Sequence, residues 1–205
     1  MRLRLASLVL LLAALGGCSL LWPRRVAPRY YSIGPPALAP RAAEPADLTL
    51  AVRPLDSGSR YRERILYRTP GNPIGYHESD RWVEPPAEMV TSVLRRALQA
   101  ARVARVVADG RVARRADVTL EGRLTRFDEV QARDGWAAEC EIELVLKQSD
   151  SDELLHVGYL AARRPAKGKT TPSFVEAMDA AAAEVTARAV DAVAKGLAKC
   201  KPKPK

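Results

Sequence analysis

The sequence predicts an α/β sandwich of two or three layers, in which a mixed, largely antiparallel sheet carries two main helices. Three observations predict it. Val118 to Leu124 and Glu139 to Leu146 alternate apolar and polar residues with period two. Two other stretches, beginning near Pro85 and near Ser173, repeat apolar residues every three and four positions. Proline is segregated: 11 of the 15 lie between residues 23 and 86 and none between Ala87 and Arg164, so regular elements have an unbroken stretch in which to form.

The chain opens with residues outside that fold. Met1 to Gly17 has the form of an export signal, Arg2 and Arg4 preceding an apolar run from Leu5 to Leu15. The run is well short of the roughly 20 residues a bilayer-crossing helix needs. Leu15-Gly16-Gly17-Cys18 resembles the bacterial lipobox, in which a lipid is attached to the Cys before cleavage. Cys18 is therefore the candidate for lipidation by palmitate-type chains; an ordinary signal peptide or a buried Cys is the alternative. Ser19 is similar to the residue that favours outer-membrane sorting in such lipoproteins. Residues 18–46 contain Pro23, Pro28, Pro35, Pro36, Pro40 and Pro45 and read as a lipidated N-terminus and Pro-rich tether. Within it, Tyr30, Tyr31 and Ile33 suit a docked edge strand.

The folded domain is expected at 47–198. Leu48, Leu50 and Val52 fall on one face of a first strand. Residues 64–68 form a second, Pro70-Gly71-Asn72-Pro73 a turn, and residues 74–77 a weaker strand completing a hairpin. Pro85 and Pro86 suit a helix start, because their missing N–H groups fall where no intrahelical acceptor exists, and Glu88 suits the positive helix end. The helix runs to about Ala101, with Val90, Val93, Leu94, Ala97, Leu98 and Ala101 as its stripe. A short strand at 103–107 precedes two long ones. Asp134-Gly135 connects those two, and a third follows at 154–162 after a Ser/Asp-rich turn; antiparallel neighbours are the economical arrangement. Ser173 and Glu176 have capping-box spacing at the start of a last helix reaching about Lys199, whose stripe is Val175, Met178, Ala182, Val185, Ala189 and Val193. Both helices are expected on one face of the sheet.

Charge adds little about the core. The net +9 includes Arg2, Arg4 and, in the Lys/Pro-rich tail 199–205, Lys199, Lys201, Lys203 and Lys205; without these six the balance is +3. The strongest basic feature inside the fold is 95–115, where seven arginines meet only Asp109. Arg111, Arg114 and Arg115 are candidates for contact with an anionic surface, against a plain solvated face. Nucleic acid is disfavoured for an exported, lipid-anchored chain without an aromatic-rich binding module.

Catalytic and metal chemistry find no footing. His77-Glu78-Ser79-Asp80 holds triad residue types, but four consecutive residues do not normally converge, and a solvated loop is the expectation. His156 opens a strand. Cys18, Cys140 and Cys200 lie 122 and 60 residues apart, which is no zinc-site spacing. Cys140, on an apolar strand face, reads as a buried free thiol in preference to a disulfide with Cys200. No phosphate-cradling Gly-rich loop and no cofactor are indicated.

Two further stretches belong together. Residues 29–35, Arg-Tyr-Tyr-Ser-Ile-Gly-Pro, follow the tether; Tyr67-Arg68, Tyr76 and Arg81-Trp82-Val83-Glu84-Pro85 precede the first helix. They resemble the ABC-type transport auxiliary lipoprotein family (PqiC/YmbA type), in which a Tyr-Tyr-x-Leu-x-Pro segment follows the lipidated Cys and a Tyr-Arg hairpin leads to Arg-Trp-Ala-Glu-Pro-Leu. Here Ile33, Val83 and Pro86 stand for the Leu, Ala and Leu, and Gly71-Asn72-Pro73-Ile74 replaces the usual Asn-Glu-Leu-like segment. The likeness continues through residues 121–128 and into the Ala-rich last helix. It implies a noncatalytic outer-membrane lipoprotein facing the periplasm, docking the MCE-domain protein of an ABC lipid transporter and supporting membrane integrity; some relatives form rings, so homo-oligomerisation is included. A structural envelope lipoprotein that binds cell-wall polymer or assists outer-membrane assembly is the alternative. Direct lipid carriage would need an unfilled apolar cavity. Within the motif cluster, Trp82 with Tyr67 and Tyr76 is expected to pack over the helix start and Arg81 to pair with Glu84; a packing role is preferred to direct partner contact.

Overall fold

The computed structural model describes residues 27–36, 44–113 and 115–200. The order is β1 (Arg29–Tyr31), β2 (Ala46–Val52), β3 (Asp56–Ser57), β4 (Arg64–Arg68), β5 (Ile74–Trp82), α1 (Pro86–Ala100), β6 (Ala104–Asp109), β7 (Val118–Gln131), β8 (Trp136–Gln148), β9 (Leu154–Pro165) and α2 (Thr171–Leu197). The described strands make one mixed sheet, most of whose register pairs are antiparallel, with two helices against it.

The long meander β7-β8-β9 is the spine, antiparallel throughout because its connections are too short for a parallel crossover. Along the other edge of β7 three short strands lie end to end and parallel to it: β2 beside Val118–Leu120, β3 beside Arg123 and Leu124, β4 beside Glu129 and Val130. From β2 the sheet continues to β6, and from β4 through β5 to β1. The edge strand expected from Tyr30, Tyr31 and Ile33 is present, parallel to the end of β5, with Ile33 buried beyond it.

Both helices pack on one face of the sheet and against each other, giving two layers. The predicted stripe of α1 is buried throughout, joined by Met89. In α2, Phe174 and not Val175 leads the buried face, followed by Met178, Ala181, Ala182, Val185, Ala189 and Val193; the small side chains let the helix lie close to β8 and β9. Gly196 belongs to this contact, since a Cβ there would meet the Leu146 side chain at 2.6 Å. The expected capping box is displaced by one turn: Thr170 is the N-cap, its hydroxyl accepting from the Ser173 amide, and Pro172 occupies the first turn. Helix α1 ends in a Schellman turn, the Val103 amide reaching Leu98 O and the Arg102 amide reaching Gln99 O, with Arg102 left-handed at φ 52 where glycine is usual.

The hairpin turn is closed by the Asn72 amide on Thr69 O, with Pro70 and Gly71 (φ 85) in the places a type II turn assigns to proline and glycine. Asn72 is also left-handed, which prolongs the loop by a residue before β5.

Candidate functional site

The motif residues gather where β1, β5 and β4 meet the start of α2, and a swelling in β5 shapes the place. Leu66 pairs with Tyr76 and Tyr67 with Gly75, but Arg64 pairs with Arg81, so three extra residues are accommodated in β5 between Tyr76 and Arg81. Tyr67 depends on the bare backbone at Gly75, where a Cβ would lie 2.4 Å from its ring. The swelling corrects the expectation of a solvated loop at His77 to Asp80. These residues belong to the sheet, and His77 and Asp80 do converge, His77 Nδ1 standing 3.7 Å from Asp80 Oδ2.

Three buried carboxylates result, none singled out in the sequence reading as a buried acid. Asp80 accepts from Arg29 Nε and Nη2 at 2.8 and 3.0 Å and from Thr171 Oγ1 at 2.6 Å, tying edge strand, bulge and helix start together. Burial by itself raises its pKa, but the hydrogen bonds from Arg29 and Thr171 and the charge of Arg29 outweigh burial and hold it below 3.8. Glu129 is fully buried on β7, 3.1 Å from His77 Nε2 and bonded to the Gln131 amide. Asp128, also fully buried, accepts from Tyr61 Oη at 2.7 Å and from Arg68 Nη2 at 2.6 Å. Burial first, then the Asp128 charge, pushes the Tyr61 phenol up to about 12, so it remains a neutral donor. The signal missed in the sequence is the pair Asp128-Glu129 between Phe127 and Val130, with Tyr61 and Arg68 to satisfy the first and His77 and Gln131 the second.

Trp82 is buried as expected, but its ring neighbours are Phe127 at 5.1 Å and Phe174 at 6.0 Å, not Tyr67 and Tyr76. Tyr67 stands edge-on to His77, and Tyr76 donates to Arg60 O beneath the Arg64 guanidinium. The expected cluster is split because the three-residue slip in β5 puts Tyr76 on the face of Arg64 and Arg81, opposite to Trp82, although the two rings are six residues apart on one strand. Tyr31 packs against the core, while Tyr30 and Glu84 are exposed and Pro85 flanks α1. Arg81 and Glu84 do not pair; Arg81 Nη1 is buried without an acceptor among the described residues.

The basic interval is partly neutralised, Arg95 pairing with Asp109 and Arg105 with Asp47, both at 2.6 Å. Arg111 and Arg115 are exposed; Arg114 and Cys18 lie outside the described residues. Cys140 is a buried free thiol, and burial pushes its pKa up to about 12. Gln148 donates to Cys200 Sγ at 3.4 Å. Among the described residues no group of His, Cys, Asp and Glu is placed to hold a metal ion. A cavity of about 790 Å³ opens beside Asp47, Arg53, Arg115 and Asp117 on one side and Leu48, Ala51 and Leu197 on the other, so its lining is mixed, polar and apolar.

The fold has solved counterparts. A protein from Xanthomonas campestris superposes with a TM-score of 0.72 at 22% identity, over 81% of this chain and 95% of that one. A second crystal structure, of an uncharacterised protein, gives 0.65 at 16% identity over 82% and 99%. Both show the same fold. No curated protein matches. Residues 31–190 match the family of ABC-type transport auxiliary lipoprotein components, a span that runs from the last residue of β1 through the bulged hairpin and the spine into most of α2; the chain belongs to that family.

Proposed function

We propose that this auxiliary lipoprotein is anchored through Cys18 in the outer membrane, faces the periplasm, and docks the MCE-domain protein of an ABC lipid transporter without catalysis of its own. The family supports the transport role. The observation that supports a docking role is the uncovered sheet face. On its far strand β9, Leu154, Val157 and Tyr159 are 61%, 62% and 55% exposed, an apolar strip beside an unpaired strand edge. A partner's apolar side chains and extended backbone find there what a solvated monomer surface would not retain. The buried pairs at Asp80, Asp128 and Glu129 hold the sheet's shape, and the cluster Tyr67, Arg68, Tyr76, Trp82 and Pro85 acts through packing. Arg111 and Arg115 lie toward the opposite end of the sheet and carry the contact with an anionic surface.

The test is capture of an MCE-domain protein with the affinity-tagged chain from cross-linked, detergent-solubilised envelope. Recovery of the MCE protein is expected. Its absence, when independent bridge contacts of that transporter are captured in the same sample, contradicts the docking role.

A further inference from the structure

At the β1 end the uncovered sheet face carries an arrangement the fold does not need. Tyr30, Arg81 and Arg64 are register partners across β1, β5 and β4, so their side chains form a row on one face. Tyr31 and Trp82, next along their strands, enter the core, which puts the row on the side away from the helices. Like charges directly opposite one another repel. Neither guanidinium has an ion-pair partner among the described residues; Glu63, Glu78 and Glu84 are exposed and stand beyond pairing distance. Arg64 makes only a 3.5 Å contact to His77 O and lies over the Tyr76 ring, 5.1 Å from its centre. Nη1 of Arg81 is the one buried side-chain polar atom among the described residues with no acceptor. Such an orphaned donor opposes folding, so its retention calls for a use. Tyr30, 60% exposed, and Val83, 49% exposed and just past the end of β5, flank the charge with apolar surface.

We propose that Arg81 and Arg64 form a binding site for a phosphate group, with Tyr30 and Val83 covering the less polar atoms attached to it. A carboxylate is satisfied by a single planar guanidinium fork, whereas two adjacent forks match an anion with three or four acceptor oxygens. An oxyanion on the open side draws the flexible Arg81 side chain outward, and Nη1 gains its acceptor. The apolar flank favours a phospholipid headgroup over free phosphate. Tyr30 also follows Cys18 by twelve residues, a reach of at most about 40 Å, which rests on the lipid anchoring proposed above.

The full chain in nonionic-detergent micelles is titrated calorimetrically with inorganic phosphate, with dihexanoyl-phosphatidylglycerol and with glutarate, empty micelles serving as blanks. Both phosphates are expected to bind, and Arg81→Met and Arg64→Gln each to weaken them at least tenfold, while Arg105→Gln on β6 leaves binding unchanged. Because Nη1 is unpaired in the empty site, Arg81→Met melts at or above the wild-type temperature, which separates loss of the site from loss of the fold. Tenfold tighter binding of phosphatidylglycerol assigns the site to lipid, and equal affinities assign it to free phosphate. The proposal is overturned if neither phosphate binds, if binding survives both substitutions, or if glutarate alone binds. That failure would leave MCE capture unaffected, so the two readings fail separately.

Discussion

Asp80 concentrates the chemistry of the fold in one carboxylate. Arg29 from the edge strand and Thr171 from the start of α2 both converge on it, and His77 from the same bulge stands nearby. A carboxyl held below its ordinary pKa stabilises the folded state above that ordinary value and loses the contribution as pH falls through the lowered one. Asp80→Asn is therefore expected to lower the melting temperature by several degrees at neutral pH, with the gap to wild type closing only below about pH 4. Thermal unfolding of the two proteins from pH 7 to pH 2 checks this, and a gap independent of pH contradicts it. Little of this was legible beforehand. His77 and Asp80 were visible as residue types, but a register slip of three residues in β5 is set where the strand must pair both with β4 across the hairpin and with β1, which lies far off in the chain. Trp82 was legible as a packing residue, because a large ring just ahead of a helix start gains most from burial against it. Its partners were not, because Phe127 and Phe174 reach it only through tertiary packing.

Elements with strong periodicity were read nearly to the residue: α1 spans Pro86–Ala100, β8 extends its predicted core by a few positions at either end, and β9 starts at Leu154 as expected and runs on to Pro165. The extensions share a cause. Each antiparallel neighbour supplies hydrogen bonds to residues whose own pattern is weak, such as Trp136 opposite Gln131. Parallel pairing of β2, β3 and β4 along one edge of β7 left no local mark, since it depends on the distant strand's length. Helix starts are subtler. Three hydroxyl residues, Thr170, Thr171 and Ser173, stand at the head of α2, and the one with extended backbone, Thr170, takes the cap. Thr170→Ala is expected to cost about 1 kcal/mol in denaturant unfolding, whereas Ser173→Ala, which removes no cap, stays within about 0.5 kcal/mol. The reverse order would restore the Ser173 box.

On the scale of the molecule, one layer of helices on a nine-stranded sheet leaves a broad strand surface without a covering element. Ion pairs quiet much of it: Arg126 bridges Glu139 and Glu141, and Arg163 reaches Glu139. The two ends differ. Along the first half of β9 the open face is apolar, at Leu154, Val157 and Tyr159; at the β1 end it carries Tyr30, Val83, the exposed Arg64 and the half-buried Arg81, neither arginine with a counterion among the described residues. That polarity suits a component with a protein partner at one end of its sheet and a phosphate-bearing ligand at the other, while α2 keeps its polar side toward solvent. The most direct measurement of the docking claim places a photo-crosslinking residue at Tyr159 on the open face and, separately, at Lys195 on α2, in the acylated protein within intact envelope. Adducts with the MCE-domain protein from position 159 and none from position 195 are the expected result; adducts from position 195 alone, or equal adducts from both, would contradict the account.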